Sequence, residues 1–180
     1  MTEAYILLDR DGVINIDSDD YIKSPEEWQP IEKSLEAIAL LNEGNYKVVV
    51  ITNQSGLSRG FYNEAMLDKI HDKMHRMVNA KGGKIHSIYY CPHGPDDDCL
   101  CRKPKPGLLH RFSKDTKTCL SDIYFIGDKL SDAQAAISAG AKPLLVKTGK
   151  GQKPIQNSLE INIPIFEDLY DAAKFILSEK

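Results

Sequence analysis

The chain has 180 residues, 42% of them hydrophobic, which supplies one full core and falls short of two. Its net charge is −3, with lysine and arginine scattered rather than massed, which argues against a nucleic-acid-binding or membrane-surface protein. No apolar run approaches membrane-span length, and Met1–Ala4 has neither a basic region nor an apolar stretch. The expectation is a soluble, cytoplasmic, monomeric protein, with one domain over residues 1–180.

Tyr5–Leu8 is a short run of aromatic and aliphatic residues without alternation, the pattern of a strand buried on both faces. It ends in Asp9-Arg10-Asp11-Gly12, and a polar, turn-prone stretch from Asp17 to Tyr21 follows as a candidate flap. Ser24-Pro25-Glu26-Glu27 has the composition of a helix start, cut short by Pro30. Trp28 beside it is expected to pack rather than to stack on a ligand. Apolar residues at 31, 35, 38 and 41 predict a helix over Ile31–Asn42, stopped by Glu43-Gly44-Asn45. Tyr46–Ile51 is a second, β-branched strand that runs into Thr52-Asn53-Gln54-Ser55-Gly56.

A helix is predicted over Asn63–Ala80, with His71 and His75 one turn apart and no obvious third ligand, so both are assigned to surface or packing roles. A third strand is expected over Ile85–Tyr90, a long loop over Cys91–Gly107, and a helix over Leu108–Lys114. Cys119 stands apart and is expected to be a buried thiol. Ile123–Ile126 forms a fourth strand that enters Gly127-Asp128-Lys129-Leu130-Ser131-Asp132. A small-residue helix over Ala133–Ala139, a fifth strand over Pro143–Val146, a loop over Thr148–Gly151 and a last helix over Phe166–Leu177 complete the chain. No chemistry is legible after Gly151. Strands alternating with helices predict an α/β fold, a three-layer, doubly wound parallel sheet.

Polar clusters therefore sit at the carboxyl ends of three strands, where open α/β sheets bind ligands. They are Asp9 with Asp11, Thr52 with Asn53, and Asp128 with Asp132; Arg102 and Lys103 join them from the long loop. Carboxylates brought to one point repel unless a cation holds them, and an all-oxygen ligand set suits Mg²⁺. Lysine, arginine and a hydroxyl add donors for a phosphoryl group, so the set describes phosphoryl transfer through a carboxylate nucleophile. In the long loop, Cys91, His93, Cys99 and Cys101 form a Cys₃His set suited to a closed tetrahedral Zn²⁺ site of structural type.

In this order, Asp9-x-Asp11-Gly12, the strand end Thr52-Asn53, Lys103 and Gly127-Asp128-x-x-x-Asp132 resemble the four motifs of the haloacid dehalogenase-like phosphatases. The resemblance runs to about Thr148 and implies a Rossmann-like fold. It also implies that Asp9 is the nucleophile and Asp11 the general acid and base. Thr52 and Lys103 would stabilise the phosphoryl group, and Asp9, Asp128 and the Asp11 carbonyl would bind Mg²⁺. Asp132 would orient Asp128 or Lys129 rather than bind metal. The zinc loop and Cys101-Arg102-Lys103-Pro104-x-Pro106-Gly107 resemble the branch that holds the heptose bisphosphate phosphatases and the histidinol-phosphatases. The strand-end motifs match the heptose enzymes better, and histidinol phosphate is the alternative substrate. The motif spacing leaves no room for a large cap domain. A sugar bisphosphate would then meet Asn53, Gln54 and Ser55 and the flap residues Asp17 and Tyr21. Arg102 is the first choice for the remote phosphate, with Lys129 as a helper; Arg59, on a turn, is expected to be solvated.

Overall fold

The computed structural model describes residues 3–150 and 162–179. Six parallel strands form one sheet in the order β3-β2-β1-β4-β5-β6. They are β1 (Ala4–Leu8), β2 (Tyr46–Asn53), β3 (Ile85–Cys91), β4 (Tyr124–Gly127), β5 (Lys142–Val146) and β6 (Ile165–Phe166). The helices are α1 (Ser34–Glu43), α2 (Glu64–Ala80), α3 (Gly107–Thr116), α4 (Leu130–Ala139) and α5 (Leu169–Ser178). The expected doubly wound sheet is present, and β1 lies at its centre, flanked by β2 and β4.

Burial on both faces explains the unalternating apolar strands. Ile6 and Leu8 of β1, with Val48 and Val50 of β2, face a core filled by α1, α2 and α5. Tyr5 and Leu7, with Val49 and Ile51, face a second core under α3 and α4, built around Phe112 and Phe125. The strand order reverses direction at β1, so the crevice beyond Leu8 is the topological switch point of the sheet, where α/β folds bind ligands.

Several local expectations change. Ser24–Glu27 forms turns instead of a helix, with Glu27 N–H donating to Ser24 O and Trp28 N–H to Pro25 O. Trp28 is fully buried among the α1- and α2-facing residues, and sinking it there draws the chain out of a helical path. The helix expected from Ile31 begins at Ser34, because Lys33 adopts a left-handed conformation (φ 62°) just before it. The last helix begins at Leu169, where the Asp168 carboxylate accepts the Asp171 N–H as an N-cap. Ile165 and Phe166, expected to lead into that helix, pair with β5 as a short edge strand. Cys119 is exposed, contrary to expectation. The chain there takes a 3₁₀ turn over Leu120–Asp122, and Leu120 and Ile123 occupy the buried positions instead. The loop expected over Thr148–Gly151 and the reading of the tail after it extend into residues 151–161, outside the described residues.

Trp28→Ala should cost about 3–5 kcal/mol of stability, the range for deleting a large aromatic side chain from a core. Urea unfolding of the two proteins measures it, and a loss under about 1 kcal/mol would mean that Trp28 is not part of the core.

Candidate active site

The end of β1 delivers Asp9, whose N–H extends the ladder by donating to Ile126 O at 2.9 Å. Asp9 Oδ1 accepts the Arg10 N–H at 2.7 Å and lies 3.0 Å from Lys103 Nζ. Lys103 is buried and bound on three sides: it also pairs with Asp132 Oδ1 at 2.7 Å and donates to Ile51 O at 2.9 Å. Its main chain is tied to the end of β2, since Asn53 Oδ1 accepts the Lys103 N–H and Asn53 Nδ2 donates to Lys103 O, both at 3.1 Å. Asn53 thus locates the lysine, at the rim of the same cavity.

Asp132 stands on the first turn of α4 and joins the Asp128 loop to Lys103. Its Oδ2 accepts the N–H groups of Asp128 and Lys129, both at 3.1 Å, while Oδ1 faces Lys103. Asp128 is fully buried; its Oδ2 accepts the Lys150 N–H at 2.9 Å and its Oδ1 has no hydrogen-bond partner. Oxygens of Asp9, Asp128 and Asp132 lie within 4.8 Å of one another. Burial, with the Asp132 charge added, pushes the Asp9 carboxyl up to about 8 against the pull of Lys103 and Lys129. Burial pushes Asp128 up to about 6. An orphaned buried carboxylate oxygen among crowded carboxylates is the donor set for a hard divalent cation such as Mg²⁺. Gly12 and Gly149 make room for it: both have positive φ (86° and 72°), and a Cβ on either would collide with the Asp128 carboxylate.

Asp11 has a different environment. Its Oδ1 accepts from Arg10 Nη2 (2.9 Å), Arg10 Nε (3.0 Å) and Asn15 Nδ2 (2.9 Å), and its Oδ2 accepts from Gln54 Nε2 at 3.0 Å. Burial opposes the Asp11 charge, yet Arg10 and Asn15 outweigh it and hold the carboxyl below the usual range. Arg10 is itself buried and braced from behind by His71 Nε2 at 3.2 Å and Gln54 Oε1 at 3.3 Å. An arginine can only donate, so His71 Nε2 accepts; burial, then Arg10, lower its pKa to about 3 and keep the ring neutral. Gln54 also donates to Thr52 Oγ1 at 2.9 Å and accepts from the Tyr62 hydroxyl at 2.6 Å. Thr52 is fully buried and its hydroxyl faces Gln54. Arg10, Asn15, Tyr62 and His71 were missed as site residues, because an arginine between two aspartates gives no sign of which one it serves. Lys150 was missed too, although its loop directly follows a strand, as the other site loops do.

Arg10, Asp11, Asn53, Gln54 and Lys103 border a cavity of about 440 Å³, whose walls also include Ser55, Arg102, Lys129, Ser131 and the flap. The flap crosses its mouth. Lys129 Nζ pairs with Asp17 Oδ2 at 3.2 Å, and the Tyr21 ring lies 5.0 Å from that of Phe61 and 5.8 Å from the Arg59 guanidinium. Arg59, expected to be solvated, is exposed but lies over that ring. Burial works against the Lys129 ammonium, but Asp9, Asp128 and Asp17 around it outweigh burial and keep it charged. Arg102 Nη1 donates to His93 O at 3.2 Å, tying it to the zinc-type loop.

In that loop, Cys91, His93, Cys99 and Cys101 converge. Cys91 Sγ lies 3.0 Å from Cys101 Sγ and 3.6 Å from Cys99 Sγ, and Cys99 and Cys101 are 3.7 Å apart. His93 Nδ1 lies 3.6 Å from Cys91 Sγ and 3.3 Å from Cys101 Sγ. A tetrahedral site with metal–sulfur bonds of about 2.3 Å has sulfur–sulfur edges of about 3.8 Å, so four ligands already stand near the corners that Zn²⁺ requires.

The sign of the carboxyl shifts fixes a pH response. Between the ordinary 3.8 and about 8, folded Asp9 holds a proton more tightly than the unfolded chain does. Raising pH through that window therefore destabilises the metal-free fold, while Mg²⁺ competes with the proton for the same oxygens. The rise in Tm on adding Mg²⁺ should grow from about pH 5 to about pH 8. Calorimetric scans across that range check it, and a pH-independent rise would contradict the carboxylate site.

A family model for HAD-like hydrolases matches residues 100–172. The D-glycero-beta-D-manno-heptose-1,7-bisphosphate 7-phosphatase of Pseudomonas aeruginosa is 48% identical over 98% of this chain and 99% of its own length. The enzyme of that name from Neisseria meningitidis serogroup B is 44% identical over 97% of this chain and 95% of its own. The crystal structure of D,D-heptose 1,7-bisphosphate phosphatase from B. bronchiseptica, complexed with magnesium and phosphate, superposes with a TM-score of 0.95. It is 46% identical and covers 98% of this chain and 99% of its own. With its strand-end carboxylates and buried lysine in place, the chain belongs to the D-glycero-beta-D-manno-heptose-1,7-bisphosphate 7-phosphatase family of HAD-like hydrolases.

Proposed function

We propose that the chain is a Mg²⁺-dependent phosphatase that removes the 7-phosphate of D-glycero-β-D-manno-heptose 1,7-bisphosphate, in the supply of activated heptose for lipopolysaccharide. The observation that carries the reading is the Asp9–Lys103–Asp132–Asp128 cluster at the switch point, beside a separately braced Asp11. Asp9, with Oδ1 fixed by Lys103 and the Arg10 N–H, attacks phosphorus and forms an aspartyl-phosphate. The bond from phosphorus to the sugar oxygen breaks as that oxygen takes a proton from Asp11, which the resting site holds ionised and which must first take that proton up from solvent. Asp11 then takes a proton from a water that attacks the phosphoryl group, which restores Asp9 and releases inorganic phosphate. Lys103 and Lys129 offset the charge that develops on the phosphoryl oxygens.

Mg²⁺ held by Asp9, Asp128 and the Asp11 carbonyl would neutralise the phosphate and align it with Asp9. Thr52 acts through Gln54, which links its hydroxyl to Asp11; Asn53 locates Lys103, and Ser55 borders the substrate. Arg102 faces the remote phosphate, and Asp17 and Tyr21 cover the sugar. Zn²⁺ on Cys91, His93, Cys99 and Cys101 has a structural role, fixing the point from which Arg102 and Lys103 reach the site. The cavity's walls carry Lys129, Lys150 and Arg102, which suit a second anionic group better than the cationic amine of histidinol phosphate.

The deciding assay is Mg²⁺-dependent phosphate release from both anomers of the heptose bisphosphate, with histidinol phosphate beside them. Preference for the β-anomer is expected, and preference for histidinol phosphate would replace the substrate. Asp9→Asn should abolish turnover while circular dichroism and the melting transition persist; retained turnover would remove the aspartyl-phosphate route. Purified protein should carry zinc, and stripping it with a chelator should lower Tm and weaken binding at Arg102. Metal analysis and melting curves check this, and a metal-free protein with full activity would contradict it.

A further inference from the structure

A sugar bisphosphate, the substrate class on which this inference rests, needs cations at two places. Most of the cations at the cavity are already committed: Arg10 to Asp11, Lys103 to Asp9 and Asp132, and Lys129, part-buried, to Asp17. Lys150 differs. It lines the same cavity, yet its ammonium turns outward, 2.6 Å from Asp19 Oδ1 and 3.8 Å from Asp17 Oδ2 on the flap. The side chains of Lys150 and Asp19 are 48% and 88% exposed, so their pair is of the weak, water-screened kind that a better anion displaces.

The backbone beneath Lys150 is placed with care. Its N–H donates to Asp128 Oδ2 at 2.9 Å, and Thr148 Oγ1 donates to Gly12 O at 2.8 Å. Gly149, at φ 72°, packs against Gly12 and the Asp128 carboxylate. The loop after β5 is therefore anchored to the reacting end of the site, while a four-carbon stem leaves the ammonium free to swing inward. From these contacts we infer that Lys150 is a specificity-determining residue that exchanges Asp19 for the substrate's second, non-reacting phosphate. In the resting protein the two flap aspartates occupy the place of that phosphate. On binding, the dianion takes over the ammonium, and the Lys150–Asp19 pair opens.

The test compares kcat/KM for the heptose 1,7-bisphosphate with that for the heptose 7-phosphate, with Mg²⁺ and the full chain. Wild type should prefer the bisphosphate. Lys150→Gln should lower the ratio of the two values about ten-fold, chiefly through KM, the effect of one charge-assisted phosphate contact. Lys150→Arg should restore most of the ratio. Asp19→Asn separates recognition from tethering: if Lys150 binds phosphate, removing its competitor leaves the ratio equal or higher. A ratio unchanged in Lys150→Gln overturns the inference, as does an Asp19→Asn loss equal to that of Lys150→Gln, which would make the pair only a tether for the flap. A wild-type enzyme indifferent to the second phosphate would instead overturn the bisphosphate reading itself, and this inference with it.

Discussion

Three buried carboxylates within 4.8 Å are the constraint around which the rest of this structure is arranged. Left alone they repel, and burial makes the repulsion worse, as the raised Asp9 and Asp128 carboxyls show. The fold answers with one buried lysine. Lys103 offers its protons to Asp9, Asp132 and the Ile51 carbonyl, and removing it would strand two charges. Its loop must therefore be located well, and two sets of contacts do so: the amide pair from Asn53 and the Cys₃His cluster that ends two residues before it. Even so, one lysine leaves negative charge in excess and Asp128 Oδ1 without a partner, an arrangement that suits a divalent cation.

The two aspartates of Asp9-x-Asp11 need opposite treatment, and a single residue separates them. Asp9 lies in the carboxylate cluster, where its proton is held tightly. Asp11 turns away from that cluster toward Arg10, Asn15 and Gln54, which favour its ionised form. The division is enforced from α2 and the segment just before it, because His71 and, through Gln54, Tyr62 brace the Arg10 side of the pair. A neutral histidine is needed there, since a protonated one would face the guanidinium. A polar network that looks peripheral in sequence thus keeps the Asp11 carboxylate ionised and apart from the cluster around Asp9.

What could be read in the sequence follows from how locally each feature is encoded. The buried strands are legible because parallel strands covered on both faces are continuously apolar, and their carboxyl ends are where chemistry gathers. The Cys₃His loop is legible because metal geometry restricts ligand spacing. By contrast, Cys119 was expected inside on residue type, whereas its exposure depends on a 3₁₀ turn that gives the inward positions to Leu120 and Ile123. Ser24-Pro25-Glu26-Glu27 has every local mark of a helix start, and the burial of Trp28 overrides it. His71 and Lys150 were illegible because their partners are distant in sequence and only the fold brings them together, whereas Arg10 stands beside two aspartates and its sequence does not say which it serves.

The same distance explains how a small site without a large cap can still discriminate. The flap is held at one side by ion pairs to Lys129 and Lys150 and at the other by Tyr21 against Phe61 and Arg59. The aromatic side carries one cation, Arg59, stacked over the Tyr21 ring, whereas the ion-paired side carries the flap carboxylates that an incoming anion would displace. Lys129 is mostly enclosed and surrounded by carboxylates, and it has little freedom to leave them. Lys150 is exposed and joined to the metal-site carboxylate only through its main chain, so its side chain can change partners without disturbing Asp128. A mobile cation on a fixed backbone lets an exchange at the mouth proceed while the geometry at phosphorus stays constant, and this separates recognition of the substrate from the reaction carried out on it.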